Sequence, residues 1–204
     1  MNEVIELFSA FGATVLIIIA QSTYIYNIFK RKIRPSTLSW IGWFLLMFAT
    51  LIAIIVESGW EWSMSGFAIS TFGCGFIGLS ALLLKQYTYR SRDWFYFVLG
   101  LGCGLIYQIS KDPMLTTIAG ILADFIIGIP TIVKVITHPD TERTKAWSFG
   151  LTSWTLSTLA ALQHDLLYIL FPAYLMLFNA TMIIFTNRKK PDSNSKNTLY
   201  RSHI

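Results

Sequence analysis

A single acidic residue, Asp124, lies near the middle of a long apolar segment, from 114 to 137. If that segment crosses a bilayer, an ionised carboxylate at this depth costs about 2.5–3.5 kcal/mol even on the lenient insertion scale. No Lys, Arg or His occurs at matching depth in any apolar segment. We therefore expect Asp124 to hold a proton and to exchange it when its surroundings change, as in proton-coupled carriers. A neutral carboxyl group that only hydrogen-bonds between helices is the alternative.

Amide and indole side chains occur at comparable depths in other apolar segments. Asn179 and Trp154 match the depth of Asp124, and Gln21 lies slightly closer to the basic loops. Amides can orient a polar ligand, but they can equally join helices, each contributing about 0.6–2 kcal/mol. Trp154 can supply a stacking wall or simply pack, and Trp43 is predicted to face inward. We predict that these four residues and Asp124 line a substrate site, with Asp124 as the proton-coupling group.

Two prolines interrupt the predicted helices that carry Asp124 and Asn179. Pro130 follows Asp124 by less than two turns, and Pro172 precedes Asn179 by about two turns. A proline inside a helix lacks the N–H donor, frees a backbone carbonyl of the preceding turn and permits a kink. We predict that Pro130 and Pro172 act as hinges, with static kinks as the alternative.

The sequence contains no constellation typical of a soluble enzyme. His138 is predicted in a loop on the basic side, His164 in a loop on the other side and His203 in the C-terminal tail. Cys74 and Cys103 lie in apolar segments, where they are expected to be small core residues; no metal-binding spacing occurs. We predict that the protein is not an enzyme and holds neither a metal nor a cofactor.

These residues must be positioned by apolar helices. Apolar residues make up 54% of the chain and charged residues 13%, against about a quarter charged in soluble domains. Because a spanning helix needs roughly 20 mostly apolar residues, hydropathy predicts an all-α membrane protein with seven spans. The predicted spans cover residues 8–29, 38–57, 64–84, 94–109, 114–137, 147–163 and 167–186.

The distribution of charge predicts the orientation of the chain. Of the 16 lysines and arginines, Lys111 alone falls on one side of a seven-span topology, together with most of the acids. Because basic loops stay in the cytoplasm, we predict an external N-terminus and a cytoplasmic C-terminus, in a bacterial inner membrane. The net charge of +5 is thereby explained without nucleic acid. Tryptophans at predicted span ends indicate an aromatic belt; they are Trp40, Trp60, Trp62, Trp94 and Trp147.

The chain repeats part of itself. Residues 21–43 resemble residues 129–150, with Trp40 aligned to Trp147 and Thr23 to Thr131. Each copy reads as a helix entering the basic side, a polar loop and a returning helix that begins with tryptophan. Spans 1–3 then match spans 5–7, and span 4 is a linker that restores the orientation, which makes two parallel three-helix bundles. The predicted domains are 1–84, 85–113 for the linker, 114–186, and 187–204 for the cytoplasmic tail.

This 3+1+3 plan resembles that of the SWEET and PQ-loop transporter superfamily. The Leu-Ala-Asp-Phe-Ile-Ile-Gly sequence at 122–128 is similar to the start of span 5 in cystinosin-like PQ-loop carriers. Trp154-Thr-Leu, Asp165 and Phe171-Pro172 resemble the span 6–7 region of SWEET carriers. The chain is also similar to small bacterial seven-span proteins with a Pro-x-x-x-Ser-Trp repeat. The resemblance implies transport between two bundles.

The leading hypothesis is a small-solute transporter that works by alternating access, with Asp124 as the proton site if transport is coupled to protons. Its expected partners are a small polar solute, protons and the lipid bilayer. One rival hypothesis is a receptor or sensor that signals through the basic loops. Another is an assembly protein whose small-residue faces bind other membrane helices. The sequence leaves open the identity of the solute, uniport or proton symport, and a monomeric or homo-oligomeric state.

Overall fold

The computed structural model describes residues 3–59, 65–88, 90–109, 112–162 and 165–188. Within these ranges the chain is all-α, and every one of the seven predicted helices is present. The helices are α1 Glu3–Phe29, α2 Thr37–Ser58, α3 Ser65–Leu83, α4 Asp93–Ile109, α5 Pro113–Thr137, α6 Ala146–Ala161 and α7 Leu166–Thr186. The 3₁₀ turn Pro139–Glu142 joins α5 to α6.

Local sequence signals set the ends of the helices. At the start of α5, the Asp112 carboxylate accepts a hydrogen bond from the Leu115 backbone N–H at 2.8 Å. Pro113 occupies the first turn of α5. Backbone N–H groups there have no acceptor within the helix, so the absence of an N–H in proline costs no hydrogen bond. α5 ends before Pro139, which disfavours helical backbone at the preceding residue. α2 ends at Ser58 and is capped by Gly59, whose φ of 80° lies in the region that glycine adopts without strain.

Several helices have the length and apolar surface that a bilayer requires. Counting only the described residues, four of them are long and apolar enough to cross a membrane, and α2 and α4 contain shorter apolar segments, Thr37–Ala53 and Asp93–Leu105. Many large apolar side chains point away from the protein, among them Phe76, Phe95 and Leu177 at 60–65% exposure. Exposed apolar surface on this scale is typical of contact with lipid. The architecture is compatible with a membrane protein.

The helices form one assembly in which α2 and α5 both hold central places. α1 packs against α3 and α6, while α7 packs against α5 and α6. α2 contacts α3, α4 and α5, and α4 contacts only α2 and α5 within the described residues. The buried core joins side chains from both ends of the sequence, including Tyr24, Trp40, Ile127, Trp147 and Met182.

The predicted aromatic belt is only partly correct. Trp40 and Trp147 are buried, at 7% and 6% exposure, so their assignment to a lipid-facing belt is wrong. Both indoles instead find partners inside the helix assembly. Trp94 is 48% exposed, as a belt residue should be. Trp60 and Trp62 lie outside the described residues.

Other predicted features of the loops and core have mixed outcomes. Cys74 is buried and Cys103 is half-buried, and both are free thiols, as expected for core residues. Lys111 and His164, assigned to the side opposite the basic loops, lie outside the described residues, as do His203 and the tail from 189 onward.

Candidate functional site

A cavity of about 90 Å³ lies at the centre of the helix assembly, lined by every helix except α4. All five residues predicted to bind substrate face this cavity, although they come from five different helices. They are Gln21 in α1, Trp43 in α2, Asp124 in α5, Trp154 in α6 and Asn179 in α7. The cavity has room for a few water molecules, since a single water needs only about 10–15 Å³.

Asp124 is almost fully buried, at 4% exposure. Its Oδ2 accepts a hydrogen bond from the Tyr174 hydroxyl at 2.7 Å. The Trp43 indole N–H donates to the Asp124 backbone carbonyl at 3.0 Å, and this bond fixes α2 against α5. Neither of the ion pairs among the described residues includes Asp124. Sequence reasoning missed Tyr174, because the pairing of an acid with a phenol on another helix leaves no sequence signal.

The two amides are seated against glycines on neighbouring helices. Gln21 Nε2 donates to the Ser70 backbone carbonyl at 2.9 Å, and a Cβ at Gly73 would clash with the Gln21 amide. Asn179 Nδ2 donates to the carbonyl one turn earlier in α7 at 2.8 Å. A Cβ at Gly150 would clash with Asn179 Oδ1. The absence of a side chain at Gly73 and Gly150 is therefore required for the observed amide positions.

Aromatic rings form a continuous wall on the side of the cavity toward the basic loops. The Trp40 ring centroid lies 4.7 Å from that of Tyr24, 5.1 Å from that of Trp43 and 6.1 Å from that of Trp147. Phe178 continues the wall at 5.6 Å from Trp43. Tilted and edge-to-face pairs at these distances contribute about 0.5–1.5 kcal/mol each beyond their buried area. The wall is therefore a well-packed boundary.

Beyond this wall lies a buried polar network centred on Glu142, which is 0% exposed. Its carboxylate accepts a hydrogen bond from the Tyr24 hydroxyl and pairs with Lys134 Nζ at 2.5 Å. Lys134 Nζ also donates to the Arg34 backbone carbonyl at 2.7 Å. The Trp147 indole N–H donates to the Glu142 carbonyl at 3.1 Å. The network thus joins α1, α5, the 3₁₀ turn, α6 and the loop after α1.

In the predicted topology, Lys134 was one of the bases on the basic side, and no role was predicted for Glu142. One signal was available, because a lysine in the last turn of an apolar helix needs a counter-charge when it is buried. The Pro139 turn contains two acids, and the fold brings Glu142 to Lys134, whereas Asp140 pairs with Arg143. Only the fold shows that this turn is buried.

At the opposite end of the helices a wider recess opens, with a volume of about 430 Å³. Met47 and Phe171 line both this recess and the central cavity, so these two side chains separate them. The recess lies between the ends of four helices, and its other lining residues include Leu46, Thr50, Phe67, Thr117 and Tyr168.

The two prolines lie inside continuous helices: α5 continues through Pro130 and α7 through Pro172. Pro130 is buried and Pro172 is half-buried. Phe171, next to Pro172, lines the cavity. Pro130 lines a separate recess nearer the basic loops. The hinge role of both prolines stays a prediction.

Among the described residues, no group of three His, Cys, Asp or Glu side chains is arranged to hold a metal ion. In comparisons with known proteins, no protein-family model, curated protein or solved structure matches the chain. Functional inference for this protein therefore depends on its own residues and their geometry.

Proposed function

We propose that the protein is a small-solute transporter that works by alternating access, with the central cavity as its substrate site. The observation that carries the proposal is the convergence of five polar or aromatic side chains from five helices around Asp124. Buried ionisable groups within membrane helices are costly and are usually retained for function. A site near the middle of the helix assembly is also where carriers built from repeats bind their substrates.

The pattern of helix contacts supports a 3+1+3 arrangement. If α1, α2 and α3 are exchanged for α5, α6 and α7, each contact in one bundle has a counterpart in the other. The α1–α3 contact corresponds to α5–α7, α2–α3 to α6–α7, and α1–α6 to α2–α5. α4 stays outside this exchange, as a linker would. The aligned tryptophans Trp40 and Trp147 meet at 6.1 Å, as equivalent residues near a two-fold axis can. On this basis we keep the relationship to the SWEET and PQ-loop plan as a proposal.

The two ends of the cavity differ in the way alternating access requires. Toward the basic loops, the aromatic wall and the Glu142 network separate it from solvent. Toward the other end, Met47 and Phe171 are the boundary shared with the recess. In a carrier, this arrangement would be the conformation closed on the basic side, with the Met47 and Phe171 side chains as the boundary on the other. Transport then requires the polar network to separate and the opposite boundary to close.

Asp124 is proposed as the proton-coupling residue. It has a hydrogen-bond donor, Tyr174, but no cation in an ion pair among the described residues. An ionised carboxylate in this position would have little to compensate its charge. Its protonation would therefore depend on whether the cavity holds water, a polar solute or neither. This dependence could link proton movement to occupancy.

The walls of the cavity favour a solute with a flat or apolar face and few polar groups. Most of the lining is aromatic or aliphatic, and both amides already donate to backbone carbonyls. The volume of about 90 Å³ is small compared with pockets for drug-sized ligands, which measure about 300–1,000 Å³. This small volume also suits the rival hypothesis, a receptor that binds a ligand without moving it across the membrane.

The proposal is tested first by ligand binding and then by flux. Purified protein is screened by thermal shift at two pH values against small aromatic and aliphatic solutes, and against sugars, amino acids and nucleosides. A ligand at 100 times its Kd stabilises the folded state by about 2.7 kcal/mol, which raises Tm by roughly 5–10 °C for a chain of this size. The ligand found is then measured for uptake into proteoliposomes. Saturable uptake supports a transporter, whereas binding without uptake supports the receptor.

Asp124→Asn tests proton coupling, with Asp165→Asn at an exposed acid as the matched control. Because Asn imitates the protonated acid, Asp124→Asn should fold, bind ligand and lose the pH dependence of binding or uptake. Asp165→Asn should keep that dependence. If Asp124→Asn destabilises the protein and leaves the pH dependence intact, Asp124 is a packing residue and the coupling proposal fails.

A further inference from the structure

A second concave site lies on the side of the basic loops, separate from the central cavity. It has a volume of about 550 Å³ and is formed by the loop after α1, the loop before α4 and the end of α5. Arg34, Arg90 and Arg92 line it, and all three are exposed. Lys134 and Asp93 lie at its base and are buried. We call this site the arginine pocket.

Hydrogen bonds between backbone segments hold the arginine pocket in shape. The Thr88 N–H donates to the Pro35 carbonyl at 2.9 Å, and Ser36 and Thr88 form an isolated parallel bridge. The Arg34 N–H donates to the Thr141 carbonyl at 2.8 Å. The loop after α1 is therefore fixed both to the loop before α4 and to the 3₁₀ turn. The arginines project from a defined frame.

The arginine pocket carries uncompensated positive charge. Lys134 is neutralised by Glu142 at 2.5 Å. Asp93 is the acid that lines the pocket, and its carboxylate accepts a hydrogen bond from the Arg90 backbone N–H at 2.9 Å. Among the described residues, none of the three guanidinium groups of the pocket belongs to an ion pair. Three arginines against one aspartate leave two positive charges.

Another basic recess on the same side differs in this respect. It is lined by Arg143 and Lys145. Arg143 pairs with Asp140 at 3.2 Å and donates from Nε to the Thr186 carbonyl at 3.1 Å. That recess is smaller, at about 220 Å³, and its arginine is already paired. Of these two basic recesses, only the arginine pocket combines a concave shape with guanidinium groups that belong to no ion pair among the described residues.

We infer that the arginine pocket binds a phosphate group. Guanidinium groups match phosphate oxygens in planar, bidentate geometry, and the hydroxyls of Ser36, Thr88 and Tyr87 line the same space. The net positive charge fits a phosphate anion.

The surroundings favour an anionic phospholipid as the source of this phosphate. The pocket opens at the ends of the helices, beside α4, whose side chains below it are apolar and exposed. Tyr96 of α4 lines the pocket, and Leu99, about one turn further along α4, is 43% exposed. A headgroup in the pocket would therefore place its acyl chains along α4. Basic pockets between membrane helices on the cytoplasmic side bind anionic lipid headgroups in this way.

The test measures lipid binding to delipidated, full-length protein by native mass spectrometry, with phosphatidylglycerol and phosphatidylcholine as probes. The test variant carries Arg34→Gln, Arg90→Gln and Arg92→Gln. The control variant removes three exposed charges outside the pocket on the same side, with Lys32→Gln, Lys85→Gln and Lys145→Gln. Tm in detergent without added lipid verifies that both variants fold. A parallel titration with inorganic phosphate tests a soluble source.

Each guanidinium contact to the phosphate is expected to contribute roughly fivefold in affinity, which corresponds to about 1 kcal/mol. The triple arginine variant should therefore bind phosphatidylglycerol on the order of 100-fold more weakly, and the lysine control within about threefold of the parent. Binding of inorganic phosphate but not lipid, with the same arginine dependence, supports the site with a soluble source. Equal losses in both variants, or no phosphate-dependent binding at all, overturn the inference.

Discussion

The buried pair of Lys134 and Glu142 gives the sharpest test of the structure. The side chains are 6% and 0% exposed, and their charged atoms lie 2.5 Å apart. Removing one partner of such a pair leaves an uncompensated buried charge, which costs about 3–5 kcal/mol. For a chain of this size, 1 kcal/mol corresponds to about 2–4 °C in Tm. Lys134→Met and Glu142→Gln should each lower Tm by roughly 6–20 °C.

The double variant separates the pair from other effects of the substitutions. Lys134→Met with Glu142→Gln leaves no unpaired charge, so its loss of stability should be much smaller than the sum of the two single losses. Arg143→Gln is the matched control, because its ion pair with Asp140 is half-exposed and such pairs contribute about 0–1 kcal/mol. Thermal unfolding in one detergent gives all four values.

The same variants test whether the network closes the central cavity. Cys74 lines that cavity and is 7% exposed, so its thiol reports access from outside the helix assembly. In a background with Cys103→Ala, a membrane-impermeant maleimide applied from the basic side should label Cys74 about tenfold faster in the double variant. The reasoning is refuted if the single variants unfold no earlier than the control, and the closing role is refuted if the rate of labelling does not change.

Two further predictions concern a glycine and the topology. Gly150→Ala should displace the Asn179 amide and weaken ligand binding about tenfold. Gly102→Ala is the control, because Gly102 has open space around it; it should leave binding unchanged and raise stability by up to about 1 kcal/mol. Equal binding in both variants would exclude a role for the amide position. A cysteine that replaces Lys111 should react with an impermeant thiol reagent added outside intact cells, and a cysteine that replaces Lys32 should not. Reaction of the cysteine at position 32 from outside would reject the predicted orientation.

The sequence determined the helices of this protein. Apolar segments of the right length predicted seven helices, and the structure has each of them within three residues of its predicted ends, apart from the start of α1. This success has a physical reason, because helix formation depends on local composition and hydrogen bonds within one segment. Asp124 was identified on the same basis, as an acid in an apolar segment.

Gln21, Trp154 and Asn179 were grouped with Asp124 from their depth along each span, whereas Trp43 was only predicted to face inward; all five line one cavity. Depth is readable because each residue advances a helix by about 1.5 Å. Direction around the helix is harder to read, because apolar side chains cover both the lipid-facing and the inward-facing sides. Trp40 and Trp147 were assigned to the lipid interface for this reason, and the structure buries both.

Only the tertiary structure decided which polar groups meet across helices. The Tyr174 hydroxyl reaches Asp124 from a position 50 residues away, and Tyr24 reaches Glu142 across 118 residues. Such contacts depend on how the helices rotate and cross, and no local pattern encodes either. The same holds for the pairing of Lys134, which reads in sequence as one more base on the basic side. Its burial depends on the loops that fold over it, so its partner becomes visible only when those loops are in place.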